Sequence, residues 1–152
     1  MIIIKSDEEI DLMRISGKVT AFILKELESF IKPGISTADI DRFVETTIRD
    51  NGMIPTFKGY GGFPASACVS INEEVVHGIP SKKRIIKEGD IVSVDVGSTY
   101  KGYVSDAART YAVGEISDAA GKLIEATRDS FFAGLEFCKV GYRLSDISHA
   151  IQ

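Results

Sequence analysis

Two aspartates, Asp95 and Asp106, are the residues of this chain whose type and spacing point most directly to chemistry. They lie in Ile91-Val-Ser-Val-Asp95-Val-Gly97 and in Gly102-Tyr-Val-Ser-Asp106-Ala-Ala-Arg109-Thr110. Val92, Val94 and Val96 alternate along the first segment. Val104, Ala108 and Thr110 share a face with Asp106 along the second. Both patterns predict β-strands, and Gly97-Ser-Thr-Tyr-Lys-Gly102 between them has turn composition. A hairpin symmetric about Tyr100-Lys101 would set the two aspartates directly opposite each other. Opposed Cβ atoms in such a pair are roughly 4.5–5.5 Å apart. Carboxylates that close repel, and each has a raised pKa unless a cation sits between them. A divalent metal is the simplest such cation. A solvated pair on neighbouring strands is the other reading. Asp95 inside an apolar strand, and the small residues that follow Asp106, favour the metal.

The positioning elements are also written in the sequence. Ser6-Asp-Glu-Glu9 is a capping-box signature. Leu12, Ile15, Val19, Phe22, Ile23, Leu27, Phe30 and Ile31 follow at helical spacing, and Lys32-Pro33-Gly34 stops that helix. A second helix starts near Ser36 or Thr37, carries Ile40, Phe43, Val44 and Ile48 on one face, and ends at Asn51-Gly52. A glycine-rich aromatic loop follows, Phe57-Lys-Gly-Tyr60-Gly-Gly-Phe63-Pro64. Ala67, Val69 and Ile71 alternate as a strand, and Asn72-Glu73 turns it back into a second strand, Glu74-Val-Val-His77, which Gly78-Ile-Pro80 ends. The aspartate hairpin comes next, and a third long helix runs from about Ser117 to Cys138.

The 152 residues suffice for one domain with a real core. A net charge of −4 argues against a nucleic-acid binder that works through phosphate contacts. Lys82-Lys83-Arg84 is followed by Glu88 and Asp90 and reads as a solvated turn. Met1-Ile-Ile-Ile-Lys5 passes straight into acidic residues and does not read as a signal peptide, and no apolar run approaches membrane-spanning length. Cys68 and Cys138 form no metal or redox spacing, which leaves a reducing, cytoplasmic compartment as the default.

The start of the chain recurs near its end. Phe30, Lys32, Gly34, Asp39 and Ile40 match Phe137, Lys139, Gly141, Asp146 and Ile147 at a constant offset of 107. Each copy has a long helix, a Lys-x-Gly turn and a new helix. The pattern predicts one incomplete domain over 1–152: a first pseudo-repeat of about 1–114 and the start of a second over about 115–152. A chance likeness of two helix–Gly–helix corners is the alternative.

Cys68-Val-Ser-Ile-Asn-Glu-Glu-Val-Val-His77-Gly-Ile-Pro80, Gly89-Asp-Ile-Val-Ser-Val-Asp95-Val and Gly102-Tyr-Val-Ser-Asp106 together resemble the type I methionine aminopeptidases over nearly the whole chain. The resemblance implies an α+β pita-bread fold of two related halves, with helices covering a curved antiparallel sheet, of which this chain is the N-terminal half. It implies removal of the N-terminal Met from nascent polypeptides by a centre of two divalent ions, Co, Mn, Fe or Zn. Asp106 would bridge both ions and Asp95 would chelate one. The remaining family ligands, one histidine and two glutamates, fall in the second half; His149, in the repeated helix, is not one of them. A fragment with these two ligands alone is expected to be inactive. His77 maps onto a substrate-contacting histidine that steadies charge in the transition state. Phe57, Tyr60, Phe63 and Cys68 map onto the methionine pocket, where aromatic edges and a thiol suit a thioether. Transient contact with the ribosome belongs to the full-length parent, and the fragment is expected to homodimerise. Two rivals share the fold: a proline-specific (Xaa-Pro) aminopeptidase, and a non-catalytic binding module.

Overall fold

The computed structural model describes residues 2–152 as two compact units, the first ending at Glu115 and the second spanning Ile116–Gln152. The first unit opens with α1 (Asp7–Phe30) and α2 (Thr37–Asp50). Both helices begin with reciprocal caps. Glu9 N–H donates to Ser6 Oγ at 3.3 Å and Ser6 N–H to Glu9 Oε2 at 2.7 Å; Ser36 and Asp39 repeat the arrangement at 3.2 and 2.9 Å. Each cap satisfies amide groups that the first helical turn leaves free. Four strands follow: β1 (Ile54–Pro55), β2 (Ala67–Ile71), β3 (Ile91–Tyr100) and β4 (Tyr103–Ala112).

β3 is the central strand. It pairs antiparallel with β1 and β2 along one edge and with β4 along the other. Val92, Val94 and Val96 send their side chains to the helical side and are fully buried with Ile23, Leu27, Ile40, Val44 and Ile48. Each such side chain contributes on the order of 1.5–3 kcal/mol by leaving water. Polar contacts fix how α1 lies on the sheet. Ser16 Oγ donates to Ser98 O at 2.6 Å, Thr20 Oγ1 lies 2.9 Å from Ser98 Oγ, and Tyr111 Oη donates to Leu24 O at 2.5 Å.

The structure corrects two sequence expectations and adds a strand. The β3–β4 hairpin turns on Lys101-Gly102, not on Tyr100-Lys101, and Tyr100 pairs with Tyr103. Lys101 and Gly102 both have positive φ, 48° and 87°, as a two-residue type I′ turn requires. Asp95 therefore faces Ala108 and Asp106 faces Gly97, so the aspartates are diagonal rather than directly opposed. Secondly, Glu74–His77 is not a strand. Glu74 turns its carboxylate back onto Ile71 N–H at 2.9 Å and onto Arg84, and His77 bends the chain with a φ of 61°. Lastly, two residues, Ile54 and Pro55, form the short strand β1, which is too brief to show a period in sequence.

The second unit holds α3 (Asp118–Leu135) and α4 (Leu144–Ile151). Ser117 caps α3 by accepting from Ala120 N–H at 3.2 Å, and the helix ends at Leu135, three residues short of Cys138. Ile151 packs against Gly134, where an added Cβ would lie 2.6 Å from its Cγ1. Among the described residues no helix is long and apolar enough to cross a membrane.

Candidate metal centre

The face of the sheet away from α1 and α2 carries the candidate site. Strand alternation puts Asp95 and Gly97 together on that face, and cross-strand pairing adds Cys68 opposite Asp95 and Asp106 opposite Gly97. The turn moved the register by two residues relative to the sequence expectation. An even shift keeps every side chain on its face, so both carboxylates still share one surface. Diagonal partners remain within reach of longer side chains.

The two acids influence each other electrostatically. Burial, then the charge of Asp106 and a hydrogen bond with it, push the Asp95 carboxyl up to about 6, while the charge of His77 and the Val96 N–H pull it down. Asp95 Oδ1 is buried without a hydrogen-bond partner among the described residues. Burial, followed by the charges of Asp95, Asp106 and Asp41, pushes the Cys68 thiol up to about 11. Cys68 is thus a buried neutral thiol at physiological pH, suited to packing and not to nucleophilic attack.

His77 is exposed beside this surface, on a bend held by its neighbours. Val69 N–H donates to Gly78 O at 2.9 Å, and Gly78 N–H donates to Ser70 Oγ at 3.0 Å. The backbones approach so closely that a Cβ at Gly78 would lie 2.7 Å from the Val69 carbonyl carbon. Arg84 braces the same loop through Glu74 and the carbonyls of Val69 and Ile79, at 3.3 and 3.4 Å. The Lys82-Lys83-Arg84 run is therefore solvated only in its two lysines.

Phe57 reaches the site face through a gap. A Cβ at Gly97 would lie 2.6 Å from Phe57 Cε1, so the missing side chain seats the ring beside the position paired with Asp106. Tyr60 and Phe63 lie further along the loop. Tyr60 is 81% exposed, Phe63 is half-buried, and no hydrogen bond ties either to the carboxylates. His149 is exposed on α4. The structure thus gathers Cys68, His77, Asp95, Asp106 and Phe57, and leaves Tyr60 and Phe63 on the loop. Sequence reasoning missed Gly97, Arg84, and the α2 acids Asp41 and Glu45. Only the helical i, i+4 spacing of the last two was available as a signal.

Among the described residues no group of three or more His, Cys, Asp and Glu side chains converges to hold a metal ion. The two aspartates nonetheless fit a divalent cation as part of a donor set. They are hard oxygen donors, one oxygen lacks any partner, and their mutual repulsion would be relieved by positive charge.

Known proteins share this chain's sequence and fold. The profile of "Metallopeptidase family M24" matches residues 11–152. The chain is 59% identical over its full 152 residues to the methionine aminopeptidase of Clostridium acetobutylicum, covering 61% of that protein. It is 52% identical to methionine aminopeptidase 1 of Bacillus subtilis, again over the whole chain and 61% of the relative. Its structure matches the methionine aminopeptidase crystal structure from Thermotoga maritima with a TM-score of 0.97 and 45% identity, over 100% of this chain and 61% of that one. An X-Pro aminopeptidase from the same organism matches with a TM-score of 0.80 at 21% identity, a likeness of fold. The architecture is the α+β pita-bread fold. The chain spans about 61% of the length of these methionine aminopeptidases.

Proposed function

We propose a function from one premise: the chain belongs to metallopeptidase family M24. In that reading the protein carries the first part of a methionine aminopeptidase, which hydrolyses the peptide bond after an N-terminal Met. The observation that carries it is the Asp95–Asp106 pair, in which Asp95 keeps a buried, unpartnered oxygen and a carboxyl whose pKa burial and the neighbouring Asp106 raise. Asp106 and Asp95 would hold the divalent ions (Co, Mn, Fe or Zn) that the family resemblance implies; oxygen donors alone do not choose among these metals. By the family resemblance, one histidine and two glutamates would complete the set. The chemistry such ions would supply is an acidified water and a polarised scissile carbonyl.

The chain's own residues do the rest. His77, exposed and fixed by the Gly78 approach, hydrogen-bonds the reacting amide as charge develops on it. Cys68, Phe57, Phe63 and Tyr60 accept the Met side chain, where a neutral thiol and aromatic edges favour a thioether. Nascent polypeptides are the substrates, which places the work in the cytoplasm with transient access to the ribosome. The second pseudo-repeat begins near residue 115, a reading supported by the matched Lys-x-Gly turns. Methionine is preferred over the Xaa-Pro alternative because three relatives at 50–59% identity are methionine aminopeptidases.

The test is Asp106→Ala in protein of the relatives' full length, assayed with Met-Ala-Ser and an Xaa-Pro peptide. Met release from the parent and loss of both Met release and bound metal in the variant are expected. A variant that keeps two tightly bound metals and near-normal turnover overturns the assignment.

A further inference from the structure

We propose that Asp41 and Glu45, one turn apart on α2, are positioning residues that set the selectivity of the methionine pocket by clamping both ends of the loop carrying it. The inference rests on the reading of that loop as the pocket. The loop cannot hold itself in place. Gly59, Gly61 and Gly62 all have positive φ, at 88°, 55° and 83°, and glycine restrains its neighbours poorly. Its own hydrogen bonds only close it into a local knot: Tyr60 N–H to Phe57 O at 3.0 Å, Gly59 N–H to Phe63 O at 2.8 Å, and Phe63 N–H to Tyr60 O at 2.9 Å. Where the knot sits relative to the sheet depends on its anchors.

α2 supplies an anchor at each end. At the entrance, Lys58 Nζ donates to Glu45 Oε2 at 2.6 Å, directly after the Phe57 ring seated on Gly97. Arg49 Nε holds the other oxygen, Glu45 Oε1, at 2.9 Å, which fixes the carboxylate plane. Lys58 foremost, with Arg49, holds the Glu45 carboxyl below its usual range. At the exit, a single oxygen, Asp41 Oδ1, accepts from Ser66 N–H at 2.8 Å and from Ala67 N–H at 2.9 Å. Charge-assisted bonds of this kind are about twice as strong as neutral ones. The next residue is Cys68. α2 in turn is fixed by Ile40, Val44 and Ile48, all fully buried. The two acids thus refer the pocket residues on both sides of the loop to the hydrophobic core, without touching Asp95, Asp106 or His77.

Loosening either anchor should therefore weaken recognition of the Met side chain and leave the chemical step alone. In metal-loaded protein of the relatives' full length, Asp41→Ala should raise KM for Met-Ala-Ser about tenfold, hold kcat within about twofold, and narrow the preference for Met over Leu at the first position. Asp41→Asn keeps an oxygen acceptor and should restore most of the loss. Glu45→Ala should act in the same direction and decides the matter if Asp41→Ala does not fold. Folded variants of both residues with unchanged KM and unchanged Met-over-Leu preference overturn the proposal, as does an equal fall of kcat on both substrates. Tyr60→Ala and Phe63→Ala separate the two levels. If they shift KM while the Asp41 and Glu45 variants do not, the positioning role fails and the pocket stands. If they change nothing, the pocket reading fails and takes this inference with it.

Discussion

His77 holds a backbone conformation that costs a non-glycine residue about 1–2 kcal/mol. Glycine in its place escapes that cost but adds about 0.4–1 kcal/mol of unfolded-state freedom. The balance favours the variant: His77→Gly should raise stability by roughly 0.5–1 kcal/mol, read as a higher urea midpoint. In the full-length protein, His77→Ala should keep its metal and lose about a hundredfold in kcat; loss of metal instead would make His77 a ligand. Asp95 gives a pH signature. Its folded value of about 6 lies above the ordinary unfolded value of about 3.9. Between those values the folded state binds more protons than the unfolded one. Stability from this group is therefore full below about pH 4 and lost as pH rises through about 6. Metal-free wild type should lose stability over that window relative to Asp95→Asn, and divalent cation should restore it above pH 6. Urea titrations across the window measure both effects. The types and common face of Asp95 and Asp106 were legible because strand alternation is a local property. The orphaned Asp95 oxygen and the neighbourhood of Cys68 were not, since both depend on which strands pair.

At the scale of elements, the hairpin turn decided the geometry of the site. The alternation of Val92, Val94 and Val96 announced β3 and its buried face, the capping box at Ser6 announced α1, and the apolar face of Ile40, Phe43, Val44 and Ile48 announced α2. The turn centre was ambiguous in sequence: Tyr100-Lys101 and Lys101-Gly102 both lie in a polar, glycine-flanked stretch. Only backbone handedness separates them, because a right-twisted hairpin needs positive φ at both central residues, and Gly102 accepts that readily. Gly102→Ala should therefore cost about 1 kcal/mol, and Lys101→Asn should stabilise the hairpin; thermal midpoints of the two variants check the opposite signs. The apolar pair Val75-Val76 suggested a strand, but Glu74 and Arg84 bind the backbone groups that a ladder would use. Such side-chain competition is invisible to a two-residue period. α1 is tied to β4 by Tyr111, whose hydroxyl burial holds well above its ordinary pKa. Tyr111→Phe should cost about 1–2 kcal/mol by leaving the Leu24 carbonyl short of a donor.

At the scale of the whole molecule, one helix of the second unit exposes a run of large apolar side chains. Leu123, Phe131, Phe132 and Leu135 on α3 are each more than half exposed. Patches of this kind are association sites, so the 152-residue chain should bind a hydrophobic dye and scatter as an oligomer at micromolar concentration. A dye-silent monomer would contradict this. The core of the first unit has a different consequence, one of time. The contacts that seat α1 on the sheet join residues far apart in sequence: Ser16 with Ser98, 82 residues on, and Leu24 with Tyr111, 87 residues on. α1 is made first and its partners last. At roughly 5–20 residues per second of synthesis, its apolar stripe waits on the order of 4–17 s before β3 and β4 exist to cover it. For that interval a nascent chain of this fold is a client for whatever binds exposed helices near the ribosome.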